Sequence, residues 1–156
     1  VLCAGVDTNG KIPFYKMKPE DFKNTINVNL TANILLIHKY VQQRLFKPWS
    51  KVIVVGSGVV DGYFPNFGVY GASKHGLDAF IRTVKHELGD KNIGFTIMHP
   101  ALTKTNFNRN RGNIPEDQVD ELYKQIPHMQ PEELIPVFEQ ILRDEKHLIT
   151  KISMTR

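Results

Sequence analysis

The sequence is poor in cysteine, because Cys3 is the only one among 156 residues. A single thiol excludes a disulfide within the chain and a cysteine metal cluster. Long apolar runs are also absent: the densest stretch, 34–37, is flanked by Asn33 and His38, whereas a membrane-spanning helix needs about 20 apolar residues. The first residues carry no basic segment of the kind that begins a signal peptide. These absences predict a protein of a reducing compartment, the cytoplasm, with no membrane partner.

The chain also lacks a strong excess of positive or negative charge. The chain has 20 Lys and Arg against 16 Asp and Glu, a formal net charge of +4. This excess is small and spread along the chain, so it does not predict nucleic-acid binding. The six histidines show no metal-ligand spacing, and no metal site is expected. A hydrophobic fraction of 41% and this length are typical of one globular domain.

Hydrophobic periodicity predicts alternating strands and helices. The predicted elements are, in chain order, a strand at 1–4, a helix at 19–45, a strand at 51–56, a helix at 69–88, a strand at 93–98, helices at 116–124 and 131–143, and a strand at 148–154. Such alternation indicates an α/β fold with a parallel sheet. Pro136 falls inside the last helix and predicts a kink. Because chains seldom begin within a strand, we expect further sequence before Val1.

Tyr70 and Lys74 lie one turn apart on a predicted helix, so that a phenol and an ammonium share one face. A nearby cation favours phenolate, and we expect Lys74 to lower the pKa of Tyr70 and make it a general acid. Ser57 stands 13 residues before Tyr70, at a strand end where open α/β sheets form ligand crevices. Asn29 interrupts the apolar stripe of the first helix, which predicts either a local irregularity or a wet cleft.

Together these residues resemble the catalytic tetrad of the short-chain dehydrogenases/reductases. The resemblance rests on Asn29, Ser57, the segment Tyr70-Gly71-Ala72-Ser73-Lys74, and the segment Pro100-Ala101-Leu102-Thr103-Lys104-Thr105. It extends over essentially the whole chain, from the end of the fourth family strand to the last. It implies a Rossmann-like, doubly wound parallel sheet.

The resemblance also implies a role for each residue. Tyr70 would exchange a proton with the substrate oxygen, Ser57 would hold that oxygen, and Lys74 would lower the pKa of Tyr70 and bind the nicotinamide ribose. Asn29 would anchor a water that relays protons. The remaining cofactor contacts would come from Cys3, Ala4, Gly5, Pro100, Ala101, Thr103 and Thr105.

The chain departs from the family pattern in three places. Leu2 and Cys3 stand where the family usually has two asparagines, and Ala101 replaces a glycine. The glycine-rich turn that receives the pyrophosphate, and the residue that selects NAD or NADP, would lie upstream of Val1. We therefore expect residues 1–156 to be the catalytic C-terminal part of a single domain that lacks its N-terminal half.

The expected function is an NAD(P)-dependent oxidoreductase acting on a carbonyl or secondary alcohol, with NADP slightly preferred and a homodimer or homotetramer implied. The alternatives are a non-catalytic protein without a working cofactor site and, less favoured, a sugar-nucleotide epimerase. Two local features stay open. His99 either borders the cofactor or simply ends a strand, and the polar segment after it either attracts an anionic substrate or is a solvated loop; its members are Lys104, Asn106, Asn108, Arg109, Asn110, Arg111 and Asn113.

Overall fold

The computed structural model describes residues 1–8, 10, 12–111, 114–146 and 149–155. The helices are α1 (Pro19–Ile26), α2 (Ala32–Gln42), α3 (Gly68–Glu87), α4 (Glu116–Gln125) and α5 (Ile135–Arg143), and the strands are β1 (Lys51–Val55), β2 (Gly94–His99) and β3 (Lys151–Ser153). Within these residues no helix is long and apolar enough to cross a membrane.

The three strands form a parallel sheet in the order β1-β2-β3. The segment at the start of the chain extends this sheet beyond β1, since Leu2 forms a parallel bridge with Val54. Its N–H donates to the Ile53 carbonyl and its carbonyl accepts from the Val55 N–H, both at 2.8 Å. The predicted parallel α/β architecture is thus confirmed, whereas the strand predicted at 1–4 is present only as the single bridge at Leu2.

The core lies between the sheet and the long helices. Apolar side chains that alternate along β1 and β2 pack against one face of α3 and against α2, in a cluster made by Ile37, Val52, Val54, Leu77, Ile81, Ile93, Phe95 and Ile97. The intervening residues Ile53 and Met98 are also buried. Both faces of β1 are therefore covered, which explains its continuous apolar run Val52-Ile53-Val54-Val55.

The first predicted helix is present but irregular. A π-helical turn, Asn27–Thr31, separates α1 from α2, and all the junction residues keep right-handed helical backbone angles. The helix ends at Gln42, earlier than the predicted 45, because Arg44 adopts a positive φ of 54°. Asn29 sits within the π turn and is fully buried, so the predicted local irregularity is confirmed.

The last predicted elements differ in detail. The kink predicted at Pro136 is wrong: Pro131–Leu134 form a short 3-10 helix, and Pro136 lies in the first turn of α5, where a missing N–H leaves no helical bond unmade. The final strand covers Lys151–Ser153 rather than 148–154, and Leu148 lies outside the described residues. The connection between β1 and α3 contains a 3-10 turn, Gly58–Asp61.

Candidate active site

Ser57 and Tyr70 meet at the C-terminal edge of the sheet. Ser57 directly follows β1 and its hydroxyl caps the 3-10 turn Gly58–Asp61 by accepting from the Val59 N–H at 3.3 Å. Tyr70 lies in the first turn of α3, is 7% exposed, and is near enough to Ser57 for the serine side chain to lower the pKa of its phenol. The strand end and the helix start therefore bring together the two hydroxyl groups that the sequence pattern pairs.

The pKa of Tyr70 moves in the direction opposite to the one predicted. Burial raises it above its usual value, and the Asp7 carboxylate acts the same way, while the hydrogen bond with Ser57 and the charge of Arg111 oppose them. The Lys74 ammonium lies 5.8 Å from the centroid of the Tyr70 ring and is not among the groups that shift this pKa. Desolvation therefore outweighs the nearby cations, and the phenol is protonated at neutral pH.

Lys74 is itself buried beside the N-terminal segment. Its ammonium donates to the Val55 carbonyl at 3.2 Å, and a Cβ placed on Gly5 would stand 3.4 Å from Nζ. Burial lowers the pKa of Lys74 to about 8, and the neighbouring Cys3 thiol acts to a smaller extent in the opposite direction. Gly5 and Cys3 thus lie at the same site as Lys74, as the family resemblance implies.

Asn29 fastens this N-terminal segment to the two long helices. Its side-chain amide accepts from the Val6 N–H and donates to the Val6 carbonyl, both at 2.8 Å, which imitates the bonding of a neighbouring strand. The same amide donates to the Ser73 hydroxyl at 3.0 Å. The Asn29 backbone carbonyl accepts from the Asn33 side chain at 2.9 Å. Asn29 therefore has a positioning role in this structure, and its part in a proton relay stays a prediction.

The segment after β2 reaches the site only in part. Pro100 accepts from the Gly58 N–H at 2.9 Å, and the Cα of Ala101 would be 3.7 Å from a Cβ on Gly58, so both residues lie beside Ser57. Thr103 and Thr105 use their hydroxyl groups locally. Thr103 donates to the Ala101 carbonyl at 2.9 Å, and Thr105 accepts from the Phe107 N–H at 3.2 Å.

Two arginines of this polar segment are already neutralised. Arg111 pairs with Asp7 at 2.6 Å, with both side chains almost fully buried, and its guanidinium stacks on the Phe67 ring, 4.4 Å from the centroid. Arg109 pairs with Glu116 and Asp120 at the surface of α4. The predicted attraction of an anionic substrate thus competes with internal carboxylates, and Asn113 lies outside the described residues.

Sequence reasoning missed the aromatic and charged enclosure of Tyr70. The Phe67 and Phe107 rings lie 6.1 and 5.7 Å from the Tyr70 ring, and Asp7 and Arg111 influence its pKa. It also missed Asp78, which binds His99 behind Ser57. A signal for Asp78 was present, because it follows Lys74 by one helical turn on the same predicted face.

Among the described residues no group of three or more His, Cys, Asp or Glu is placed to hold a metal ion. A parallel sheet with a buried tyrosine and lysine on the helix that follows β1 defines a Rossmann-like α/β protein. The sequence profile of the short chain dehydrogenases matches residues 1–115. The chain belongs to this family.

Curated relatives are reductases of the same family. The chain is 30% identical over 114 residues to a 3-oxoacyl-(acyl-carrier-protein) reductase of Pseudomonas aeruginosa, covering 72% of this chain and 44% of the relative. It is 29% identical over 109 residues to the reductase of the same name from Buchnera aphidicola, covering 69% of this chain and 43% of the relative. The chain thus spans less than half the length of these relatives.

Solved structures share the fold at lower identity. A serine dehydrogenase complexed with NADP+ superposes with a TM-score of 0.85 at 20% identity, over 99% of this chain and 64% of that one. A 3-oxoacyl-(acyl-carrier protein) reductase from Brucella melitensis in complex with NAD superposes with a TM-score of 0.79 at 18% identity, over 98% of this chain and 65% of that one.

Proposed function

We propose that these residues form the catalytic part of an NAD(P)-dependent reductase of carbonyl compounds, which also oxidises the matching secondary alcohol. The observation that carries the proposal is the convergence of Tyr70 and Ser57 at the end of β1, with the buried Lys74 one turn further along α3. Family membership supports it, and so do the nicotinamide cofactors bound to the structural neighbours.

The residues around Lys74 fit the ribose end of a nicotinamide cofactor. An ammonium has three donors, and within the described part of the chain Val55 is the acceptor found for one of them. Gly5 leaves open the space that a Cβ would fill 3.4 Å from Nζ. Lys74 and Gly5 would hold the ribose, with Cys3, Ala4, Tyr70, Pro100, Ala101, Thr103 and Thr105 around the rest. The bound nicotinamide would supply or accept hydride.

In the reduction, Tyr70 donates its phenolic proton to the substrate oxygen as the carbonyl carbon becomes saturated. The C=O bond loses its π pair to the oxygen, the new O–H bond forms there, and a phenolate remains on Tyr70. Ser57 holds the oxygen while negative charge develops on it. The raised pKa of Tyr70 suits a group that must hold its proton until this step.

Substitution of Tyr70 tests the proposal. Tyr70→Phe removes the proton donor but keeps the ring, so turnover of the protein as it is naturally expressed should fall about 10²- to 10⁴-fold. Tyr15→Phe is the matched control, since Tyr15 is 79% exposed in the short helical turn before α1 and loss of its hydroxyl should leave turnover unchanged. Turnover of Tyr70→Phe close to that of the unaltered protein would refute the assigned acid.

The second candidate is a protein that keeps this arrangement without catalysis. One observation favours it: Tyr70 is 7% exposed beneath Phe67, Phe107 and Arg111, so a substrate needs this cover to open. Titration with NADPH and NADH, followed by fluorescence, separates the two functions. Saturable binding supports the reductase, and tighter binding of NADPH would support the proposed preference for NADP.

We also propose assembly as a homodimer or homotetramer through α2 and α3 in the cytoplasm. Leu35, Leu36 and Tyr40 expose apolar surface on α2, and symmetric pairing of two copies would cover such a surface. Light scattering on Leu36→Glu tests the interface, because a buried carboxylate should dissociate the assembly. A monomeric mass for the unaltered protein would refute it.

A further inference from the structure

A buried imidazole lies directly behind Ser57. His99 is the last residue of β2 and is 0% exposed. Its Nδ1 is 3.1 Å from the Ser57 backbone nitrogen, and its Nε2 is 2.9 Å from an oxygen of Asp78. Asp78 lies on α3, one turn after Lys74. One side chain therefore connects the strand end that carries Ser57 with the helix that carries Tyr70.

The hydrogen bonds determine the tautomer of His99. The Ser57 backbone nitrogen is a donor, so Nδ1 must be the unprotonated acceptor. The proton of the neutral ring therefore sits on Nε2 and is donated to the Asp78 carboxylate. Both ring nitrogens are then satisfied inside the protein, as a fully buried imidazole requires.

The hydrogen bond from the Ser57 N–H to His99 lies between two backbone hydrogen bonds. The N–H groups of Gly56 and Gly58 donate to the carbonyls of Met98 and Pro100, at 2.7 and 2.9 Å, and continue the ladder past the end of β1. The N–H between them, that of Ser57, donates to the imidazole instead. Ser57 is therefore held by a side chain at the point where regular pairing ends.

The fit of the ring leaves little freedom. A Cβ on Gly56 would lie 2.3 Å from His99 Nδ1 and 2.6 Å from Cε1, so the imidazole packs directly on the Gly56 backbone. A side chain so confined defines the position of its hydrogen-bond partners to a few tenths of an ångström.

We propose that Asp78 and His99 form a positioning pair that holds the Ser57 hydroxyl at its working distance from the Tyr70 phenol. The proposal rests on the function proposed above. Neither residue touches the substrate oxygen. Their effect passes through the Ser57 backbone and through α3, and it concerns the step in which Ser57 holds the oxygen while Tyr70 donates its proton.

Burial and the surrounding charges keep His99 neutral and Asp78 ionised. Burial lowers the pKa of His99, although Asp78 opposes this, and the ring is neutral at pH 7. Burial would raise the pKa of Asp78, but the His99 hydrogen bond, Lys151 and Arg82 together bring it below its usual value. Asp61 also faces the ring and favours its protonation, whereas Lys151 disfavours it. A protonated ring would direct an Nδ1–H at the Ser57 N–H.

Three substitutions test separately the bond of His99 to Ser57 and the bond of His99 to Asp78. His99→Ala removes both contacts, and kcat should fall about 10- to 100-fold through misplacement of Ser57, with KM for the cofactor unchanged. His99→Asn restores an acceptor near the Nδ1 position and should recover most of kcat. Asp78→Asn offers an amide that can donate to Nε2, which permits the other tautomer and should lower kcat without a loss of volume.

The controls and a second readout keep the result interpretable. His86→Ala removes an exposed imidazole from the last turn of α3 and should leave kcat unchanged. Nitrogen NMR of the imidazole should show protonated Nε2 and unprotonated Nδ1, and Asp78→Asn should shift both the ring signals and the Ser57 amide signal. This readout does not need turnover, so it tests the pair even if the proposed reductase activity is absent.

Two results would overturn the proposal. One is a ring that carries its proton on Nδ1 in the unaltered protein. The other is unchanged kcat per folded molecule in His99→Ala, which would assign the pair to stability alone. Absence of turnover in the unaltered protein with either cofactor would instead refute the proposed function, and the NMR result would then decide on the pair.

Discussion

The carboxylate of Asp7 and the guanidinium of Arg111 are 2.6 Å apart, with side-chain exposures of 2% and 5%. The pair joins the segment that follows the Leu2 bridge to the polar segment that follows β2. Arg111 also donates to the Gly10 carbonyl at 3.2 Å and stacks on Phe67. The cover over Tyr70 is therefore held closed by a buried ion pair between residues 104 positions apart.

Breaking this ion pair should destabilise the protein strongly. Asp7→Asn or Arg111→Met leaves the other charge buried without compensation, at a cost of about 3–5 kcal/mol in the free energy of unfolding. The double variant should recover most of the loss, because no lone charge remains. Denaturant unfolding of the four proteins measures the coupling.

A surface ion pair gives the control for that experiment. Arg109 pairs with Asp120 at 2.9 Å, where both side chains are substantially exposed, so Arg109→Met should change the free energy of unfolding by about 0–1 kcal/mol. Equal effects of Arg109→Met and Arg111→Met would contradict the buried character of the Asp7–Arg111 pair.

The buried ammonium of Lys74 should reduce the stability of the folded protein at neutral pH. Its pKa of about 8 in the folded protein, against the ordinary 10.5, means that the unfolded chain binds the proton more tightly. Below pH 8 the buried ammonium costs about 3 kcal/mol. The penalty declines as pH rises from 8 towards 10.5. Lys74→Met should thus stabilise the protein at pH 7, and its advantage should shrink through this window.

Thermal and denaturant unfolding between pH 6 and 10 measures this difference. Lys39→Met, on the exposed side of α2, is the control and should show no such pH-dependent gain. A Lys74→Met protein that is less stable than the unaltered one at pH 7 would show that the ammonium is better solvated than its burial indicates.

Gly56 should tolerate no side chain. In Gly56→Ala the new methyl group would overlap the His99 ring, and overpacking of this kind costs about 1–3 kcal/mol. Gly68→Ala provides the comparison, because a Cβ there meets nothing within 4 Å and the backbone angle is ordinary. We expect Gly68→Ala to be neutral or slightly stabilising. Similar losses in both variants would refute the close packing of Gly56 on His99.

The sequence predicted the elements of this fold because their signals are local. The apolar run of β1, the helical stripe of α3 and the Tyr70–Lys74 spacing can each be recognised within about 18 neighbouring positions. Asn29 was recognised for the same reason, since a polar residue inside an apolar stripe is visible without a structure.

What the sequence did not predict depends on residues far apart in the chain. Asp7 meets Arg111, and Asp78 meets His99, only after the sheet and helices have assembled. The direction of the Tyr70 pKa was wrong for a related reason. Its spacing from Lys74 is visible in the sequence, but the burial that outweighs every nearby cation is a property of the folded chain.

The π turn at Asn27–Thr31 makes this region sensitive to the number of residues rather than to their kind. Such a turn holds one residue more than the α-helical turn it replaces, so deleting a single residue there would rotate α1 by about 100° relative to α2. Thr25, whose hydroxyl meets that of Thr8 at 3.0 Å, would then face elsewhere. The segment that follows Leu2 would lose its anchor on α1, because Thr8 also donates to the Asp21 carbonyl on that helix.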